Sequence, residues 1–271
     1  MCAWPKRHGF SAWSINCPQT RKNLLAWNVL RSKRPFRKPR LPSGRRIYAV
    51  GDIHGCADLL SLLFARIDND LRTRPIAEHM QVLLGDYIDR GSSSRQVIEM
   101  LIARQRHHNL IPLKGNHEDC ALQFLHDPTS LSRWRNIGGL NTVRSYGVDP
   151  ARSDDSKSQH EVAAALIQSM PESHRRFLQG LALSFSCGDF FFAHAGVRPG
   201  VPLQEQSQHD LLWIRDEFLL YEEDFGKIVV HGHTPAQEPE IRANRINIDT
   251  GAYATGRLTC LVLEDDRMGF L

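Results

Sequence analysis

The sequence lacks the features that define many membrane and small secreted proteins. No apolar run in its 271 residues approaches the roughly 20 residues that a helix needs to cross a bilayer. The six cysteines are scattered, with neither a CxxC pair nor the close spacing of small secreted domains. This spacing argues against a zinc ribbon and a disulfide framework. We therefore expect free thiols in a reducing compartment, a cytoplasmic location and no transmembrane segment.

Acidic residues are absent from residues 1–46, which contain twelve lysines and arginines. The remainder carries 22 basic and 30 acidic residues, so a basic arm precedes an acidic body. The arm has no helical or strand periodicity, and we predict a disordered extension ahead of one folded domain at 47–271. The alternative is a segment that contacts nucleic acid, an anionic membrane surface or another acidic partner. The apolar core of a signal peptide is missing, whereas a basic, acid-poor transit peptide remains an open interpretation.

The body begins with a regular alternation of apolar strands and amphipathic helices. Strands are predicted at 47–50, 81–84 and 110–113, and apolar residues at helical spacing predict helices at 57–71 and 92–106. This β-α-β-α-β order indicates a parallel sheet with right-handed crossovers and an α/β fold.

The second half of the chain predicts a different arrangement. Residues 127–178 have mainly helical character, with a break at 138–139, and the segments at 161–167 and 173–178 are expected to pack as a cap beside the sheet. Antiparallel strands then give the fold an α+β character. These later strands are predicted at 181–187 and 190–193, joined by a hairpin turn, at 227–230, and at 245–248 and 258–264, which close the chain as antiparallel strands.

Five of the predicted strands lead into a potential metal ligand that lies within two residues of a glycine. These residues are His54, Asp86, Asn116, His194 and His233, and Asp52 stands two residues before His54. The carboxyl ends of strands in an open α/β sheet face one crevice, so we expect these side chains to converge. Carboxylate, imidazole and amide donors together suit manganese, iron or zinc better than calcium or magnesium.

The pattern predicts a site for two divalent ions. Asp52 and His54 bind the first ion, and Asp86 bridges to the second. The other ligands of the second ion are Asn116, His194 and His233. Two ions about 3.5–4 Å apart stabilise the attacking and leaving oxygens of an in-line displacement at phosphorus. They also lower the pKa of a bridging water, so hydroxide can attack and no protein nucleophile is needed.

Four further side chains are candidates for contact with a phosphorylated substrate. Two of them are arginines, which can bind a phosphate through paired N–H donors. Arg90 follows the second strand, and Arg215 lies in a predicted short helical segment. His117 adjoins the predicted ligand Asn116 and can protonate a departing alkoxide. Asp89 is its expected partner, because a paired carboxylate favours the imidazolium form.

Three of these motifs resemble those of the calcineurin-like metallophosphoesterases. They are Gly-Asp-Ile-His-Gly at 51–55, Gly-Asp-Tyr-Ile-Asp-Arg-Gly at 85–91 and Gly-Asn-His-Glu at 115–118. Within that group they look like the phosphoprotein phosphatase family of serine/threonine phosphatases. Four later motifs are similar to the bacterial and phage-lambda branch in order and spacing: residues 194–196, 213–215, 232–235 and 248–252.

The resemblance implies a fold and a cofactor. The fold is a central β-sandwich of two mixed sheets flanked by helices, and the cofactor is a pair of manganese or mixed metal ions. The resemblance assigns the metal ligands, the two arginines and the His117–Asp89 pair the roles given above. His231 is an additional imidazole to which it gives no role.

Three functions follow as hypotheses. The first is a serine/threonine protein phosphatase acting on a phosphoprotein or a phosphorylated small molecule. The second is a symmetrical diadenosine-tetraphosphate hydrolase, although Asp89 favours the first, because the tetraphosphatase branch commonly has a small residue there. The third is a nucleic-acid-binding module that uses the basic arm, with strongly salt-dependent binding. The complete ligand set favours an enzyme.

Overall fold

The computed structural model describes residues 38–150 and 156–271 as two five-stranded mixed sheets with helices packed outside them. The strands are β1 (Arg45–Val50), β2 (Glu78–Leu83), β3 (Leu110–Pro112), β4 (Ser184–Cys187), β5 (Phe190–Ala193), β6 (Ile228–His231), β7 (Glu240–Ile241), β8 (Arg245–Asn247), β9 (Cys260–Glu264) and β10 (Arg267–Phe270). The helices are α1 (Ala57–Thr73), α2 (Ser94–Gln105), α3 (Asn116–His126), α4 (Leu131–Asn136), α5 (Gly139–Ser145), α6 (Ser156–Ser169), α7 (Glu172–Gln179), α8 (Gln208–Trp213), α9 (Asp216–Leu219) and α10 (Ala252–Thr255). None of these helices combines the length and the apolar character that crossing a bilayer requires.

Both sheets mix parallel and antiparallel pairs. The first has the strand order β10-β9-β1-β2-β3, in which β1, β2 and β3 run parallel, as the sequence predicted. The second has the order β4-β5-β6-β8-β7, with β5, β6 and β8 parallel. The predicted sandwich of two mixed sheets is confirmed.

Strand β1 is buried on both faces. Because strand side chains alternate, Ile47 and Ala49 point into the space between the sheets, where they join Phe192 of β5 in one core. Tyr48 and Val50 point the other way, into the core beneath α1, α2 and α3. A third apolar cluster lies between β5, β6 and the helices α8 and α9. The loop that follows β1 is therefore held in place, because the strand before it packs on both of its faces.

The last strands differ from their prediction. Residues 245–248 and 258–264 were expected to close the chain as antiparallel strands, but β8 belongs to the second sheet and β9 to the first. Each is antiparallel to another neighbour: β8 pairs with β7, and β9 pairs with β1 and β10. The connection crosses between sheets because Ile246 and Leu261 enter the same core from opposite sides. The chain then continues into β10, which was not predicted.

The folded part begins before residue 47. Arg45 and Arg46 lie in β1, and Arg46 is buried because it donates to Glu264 at 2.7 Å and to Asp70 at 3.1 Å. Leu41 is buried in the core between the sheets. The rest of the predicted arm, residues 1–37, lies outside the described residues, so its disorder stays a prediction.

Leu41→Ala tests how far this core extends. Leu41 is 1% exposed, so we expect its truncation to lower the free energy of unfolding by about 2–3 kcal/mol, measured by urea denaturation. Leu62→Ala is the matched control, since Leu62 is 64% exposed and should change stability by less than about 0.5 kcal/mol. If both variants change the free energy of unfolding equally little, Leu41 is not part of the core.

Candidate metal centre and active site

The predicted ligands converge at the carboxyl ends of the strands. All six are buried: Asp52, His54, Asp86, Asn116, His194 and His233. The loops are joined by backbone hydrogen bonds, because His54 N–H donates to Asp86 O at 2.8 Å and Gly232 N–H donates to His194 O at 2.8 Å. The structure therefore brings together residues that are up to 181 positions apart, such as Asp52 and His233.

Backbone strain is concentrated in these loops. Six non-glycine residues of the described chain have positive φ, and five of them are predicted site residues. Their φ values are 45° for His54, 51° for Asp86, 73° for Asp89, 62° for Arg90 and 66° for His233. Such conformations cost free energy and persist where the surrounding structure enforces them, typically at functional sites.

Asp86 lies between two groups of imidazoles. Its Oδ2 is 3.5 Å from His54 Nε2 and 3.6 Å from His117 Nε2. Its Oδ1 is 3.4 Å from His194 Nε2. Two sets of possible metal ligands therefore share this carboxylate, one with His54 and His117 and the other with His194 and His233.

In the second group, the side chains of Asn116, His194 and His233 point their lone pairs at one another. His194 donates its Nδ1–H to Leu84 O at 2.9 Å, which leaves Nε2 as an acceptor 2.9 Å from Asn116 Oδ1, another acceptor. His233 Nδ1 is also 2.9 Å from Asn116 Oδ1. Burial lowers the pKa of His194 and lowers that of His233 to about 2, so both rings are neutral. Neutral imidazoles and an amide oxygen facing one point are the donor set that a cation satisfies.

The first group, formed by Asp52 and His54, also presents atoms that a cation would satisfy. His54 Nδ1–H donates to Ile88 O at 3.0 Å, and burial lowers the pKa of His54 to about 3, so Nε2 keeps its lone pair. Asp52 Oδ2 accepts from His233 N–H, whereas Asp52 Oδ1 is buried without a hydrogen-bond partner in the described chain. A buried carboxylate oxygen without a donor is costly unless a cation neutralises it.

Two glycines leave room for the carboxylates. A Cβ on Gly115 would lie 2.1 Å from Asp86 Oδ1, and one on Gly232 would lie 2.1 Å from Asp52 Oδ1. Both approaches are far too close for any side chain. Glycine beside the ligand is therefore required by contact between loops, and not only by turn geometry.

Sequence reasoning gave no role to Glu118, which holds two loops together. Its buried carboxylate accepts backbone N–H groups from Asp86 at 2.9 Å, Tyr87 at 2.7 Å and Gly115 at 2.9 Å. Burial raises the pKa of Glu118 to about 7, and the N–H donors oppose that shift. The motif Gly-Asn-His-Glu contained the signal, since its acid falls in the first turn of α3, where a carboxylate can cap free N–H groups.

Asp249 is a second residue that the sequence did not single out as functional. It lies after β8 and is buried, and burial together with the charge of Asp249 raises the pKa of Asp52. Burial raises the pKa of Asp249 to about 6, so the pair can share a proton. The sequence placed Asp249 in a connecting turn and in the motif at 248–252, but assigned it no role.

His117 and Asp89 form the predicted pair. His117 Nδ1 lies 2.7 Å from Asp89 Oδ2, and both side chains are buried. Burial lowers the pKa of His117, but the charge of Asp86 and the hydrogen bond to Asp89 outweigh it and the pKa is raised. Burial also raises the pKa of Asp89. The pair therefore retains a proton, and the Nε2 side of the ring faces Asp86.

Helices α4 and α5 orient this pair. Trp134 of α4 donates its indole N–H to Asp89 Oδ2 at 2.8 Å. Thr142 of α5 donates its hydroxyl to Asp89 Oδ1 at 2.5 Å. The carboxylate is held on both oxygens, which fixes the ring of His117. The sequence predicted helical character here but gave no signal for these two contacts.

The two predicted arginines lie at different edges of the site. Arg90 donates to His54 Nε2 at 3.1 Å and its guanidinium lies 4.8 Å from the ring centroid of the exposed Tyr253. Arg215 is exposed between α8 and α9, close enough that its charge adds to burial in lowering the pKa of His233. His231 packs edge to face against Phe218, with ring centroids 4.8 Å apart.

Comparisons with known proteins agree with this geometry. The sequence model of the calcineurin-like phosphoesterases matches residues 45–261. The asymmetrical bis(5'-nucleosyl)-tetraphosphatase PrpE of Anoxybacillus flavithermus is 25% identical over 78% of this chain and 88% of its own length. Serine/threonine-protein phosphatase 1 of Salmonella typhimurium is 28% identical over 85% of this chain and 98% of its own length.

One solved structure shows the same fold. The crystal structure of a candidate diadenosine tetraphosphatase superposes with a TM-score of 0.59 and 18% sequence identity. The superposition covers 86% of this chain and 97% of that one. At this identity the likeness establishes the architecture and leaves the substrate undetermined.

Proposed function

This chain belongs to the calcineurin-like phosphoesterase family, and we propose that it is a metal-dependent serine/threonine protein phosphatase. The observation that supports this choice is the buried hydrogen bond of 2.7 Å between His117 and Asp89. A serine or threonine leaves as an alkoxide, which needs a proton during the reaction. A nucleotide leaving from a polyphosphate departs as a phosphate anion, which needs none. A proton-holding pair is therefore more useful against a phosphoserine than against a polyphosphate.

The two ions would be held by the residues whose lone pairs converge. Asp52 and His54 would hold the first, and Asp86 would contribute to both. The second would be completed by Asn116, His194 and His233. When bound, such ions neutralise phosphoryl charge and make a coordinated water acidic enough to ionise near neutral pH. The mixed nitrogen and oxygen donors favour manganese, with iron and zinc as alternatives.

The protein groups have complementary tasks. Arg90 and Arg215 would bind the phosphoryl oxygens from two sides, because planar guanidinium groups match them in fork geometry. His117 would deliver its proton to the leaving oxygen, while Asp89 keeps the ring oriented. The charge of Asp86 and the hydrogen bond to Asp89 raise the pKa of His117, which keeps its proton available for the leaving group.

A second candidate is hydrolysis of dinucleoside polyphosphates. It is favoured by the PrpE relatives, which match this chain over 87–88% of their length in two species. The sequence suggested the symmetrical enzymes, whereas these relatives carry the asymmetrical name. Product analysis separates the two, since symmetrical cleavage of diadenosine tetraphosphate gives two identical nucleotides and asymmetrical cleavage gives unequal ones.

A substrate panel tests the proposed function. The full chain with manganese is assayed against phosphoserine and phosphothreonine peptides, diadenosine tetraphosphate and p-nitrophenyl phosphate. We expect a higher kcat/KM for the peptides than for the dinucleotide. The reverse order would replace the first candidate with the second, and hydrolysis of none of them would reject both.

Trp134→Phe probes the support of the acid pair. The substitution keeps an aromatic ring but removes the donor to Asp89, so kcat for a phosphoserine peptide should fall roughly tenfold, the value of one hydrogen bond to a charged group. In a His117→Asn background the same change should cost nothing further, because the two residues act as one unit. If Trp134→Phe lowers kcat equally in both backgrounds, Trp134 does not act through the His117–Asp89 pair.

The cellular setting stays a proposal. In the described part of the chain, Cys56, Cys120, Cys187 and Cys260 are free thiols, which fits a reducing compartment such as the cytoplasm. Contact of the basic arm with an acidic partner also remains a prediction. Deleting residues 1–37 and comparing binding to heparin at several salt concentrations would test it.

A further inference from the structure

An arginine of helix α4 lies against an aromatic ring beside the second imidazole group. The guanidinium carbon of Arg133, on α4, is 4.8 Å from the centroid of the Trp213 ring, which is a cation–π distance. Trp213 in turn meets His233 edge to face, with ring centroids 6.2 Å apart. Arg133 therefore reaches the border of the site, although no motif of the sequence included it.

The position of Arg133 is set by contacts that also hold the catalytic loops. The next residue, Trp134, is fully buried and donates to Asp89. After α4, Gly138 O accepts the backbone N–H of Arg90 at 3.4 Å, and Asn141 donates its amide to Arg90 O. Helix α4 is thus fixed to both the acid pair and the predicted phosphate-binding loop.

The charge of Arg133 is available to a ligand. Arg133 is exposed, and within residues 38–150 and 156–271 it has no carboxylate partner. Arg215, also exposed, lies two residues beyond Trp213. Arg133 thus lies on the Trp213 ring, and Arg215 follows that ring two positions later in the chain. A guanidinium stacked on an aromatic face still presents its N–H edge to an anion.

We propose that Arg133, held on Trp213, binds a second anionic group of the substrate, next to the phosphoryl group that is removed. This proposal rests on the proposed phosphoesterase function and narrows its substrate class to molecules with at least two adjacent anionic groups. The additional group is either a carboxylate in an acidic phosphopeptide or a further phosphate in a dinucleoside polyphosphate. Arg133 is then a specificity-determining residue rather than part of the chemical step.

Arg133→Gln tests this assignment, because it keeps a hydrogen-bond donor but removes the charge. Four substrates are compared: a phosphoserine peptide with acidic flanks, the same peptide with neutral flanks, diadenosine tetraphosphate and p-nitrophenyl phosphate. We expect the kcat/KM ratio of acidic to neutral peptide to fall roughly tenfold, mainly through KM. If the further group is a phosphate, the ratio of dinucleotide to p-nitrophenyl phosphate falls instead. The salt dependence of the affected KM should weaken.

Arg106→Gln is the matched control. Arg106 is exposed and follows α2, whose 12 residues separate it from the catalytic loop by about 18 Å at 1.5 Å per residue, so both ratios should match those of the wild type. If Arg133→Gln leaves both kcat/KM ratios unchanged, the proposed subsite is wrong, whereas the phosphoesterase function still stands. Absence of hydrolysis of all four substrates by the wild type would instead reject the proposed function.

Discussion

Asp86→Asn should lower kcat toward every substrate of the panel by roughly a thousandfold or more. Asp86 is the only carboxylate in the described site whose two oxygens face different imidazole groups, at 3.5 Å and 3.4 Å. Removing its charge weakens both predicted ion sites at once, and a contribution of several kcal/mol from bound ions corresponds to about three orders of magnitude in rate. The variant should also bind less manganese, measured by elemental analysis after gel filtration.

A remote carboxylate provides the control for this loss. Asp266 is exposed in the turn between β9 and β10, near the opposite end of the first sheet. Asp266→Asn changes the net charge equally and should retain wild-type kcat and metal content. If Asp86→Asn keeps both as well, Asp86 does not bridge two ions.

His117→Asn should have an effect that depends on the leaving group. For a phosphoserine peptide, whose alkoxide needs a proton, kcat should fall by about 10²–10⁴, the usual range for general acid catalysis. For p-nitrophenyl phosphate the loss should stay within about tenfold, because p-nitrophenolate is a stable anion that leaves without a proton. The comparison of the two substrates in steady-state kinetics isolates the proton transfer from any general damage to the site.

His126→Asn serves as the matched histidine control. His126 is the last residue of the same helix, α3, and is exposed, so both substrates should keep their wild-type kcat. Equal losses of both substrates in His117→Asn would assign His117 a structural or ligand role, as its distance of 3.6 Å from Asp86 also permits.

Much of the site was predictable because it depends on local patterns and one topological rule. A short apolar strand followed by a polar ligand type, with a glycine within two residues of that ligand, is visible in the sequence at Asp52, Asp86 and His194. Parallel strands bring their carboxyl ends to one edge, so distant loops were expected to meet. The structure places these three residues together, as predicted.

The remaining features depend on packing between elements, which periodicity does not encode. Trp134 resembled any buried aromatic of an amphipathic helix, and only the position of α4 brings its N–H to Asp89. Arg133 resembled a solvated surface arginine until its stacking on Trp213 was known. Similarly, the separation of β8 and β9 into different sheets follows from which core their side chains enter.

The start of the domain was placed too late for an electrostatic reason. Arg45 and Arg46 continued the run of basic residues, and charge alone made them part of the arm. In the fold Arg46 is buried because Asp70 and Glu264, distant in sequence, neutralise it. A buried arginine with two carboxylate partners cannot be distinguished from a solvated one by local sequence.

Anomalous scattering from crystals grown with manganese tests the central claim most directly. Data collected at the manganese edge should show two peaks about 3.5–4 Å apart, with Asp86 between them. One peak should adjoin Asp52 and His54, and the other Asn116, His194 and His233. A single peak, or peaks that Asp86 does not contact, would contradict the two-ion site.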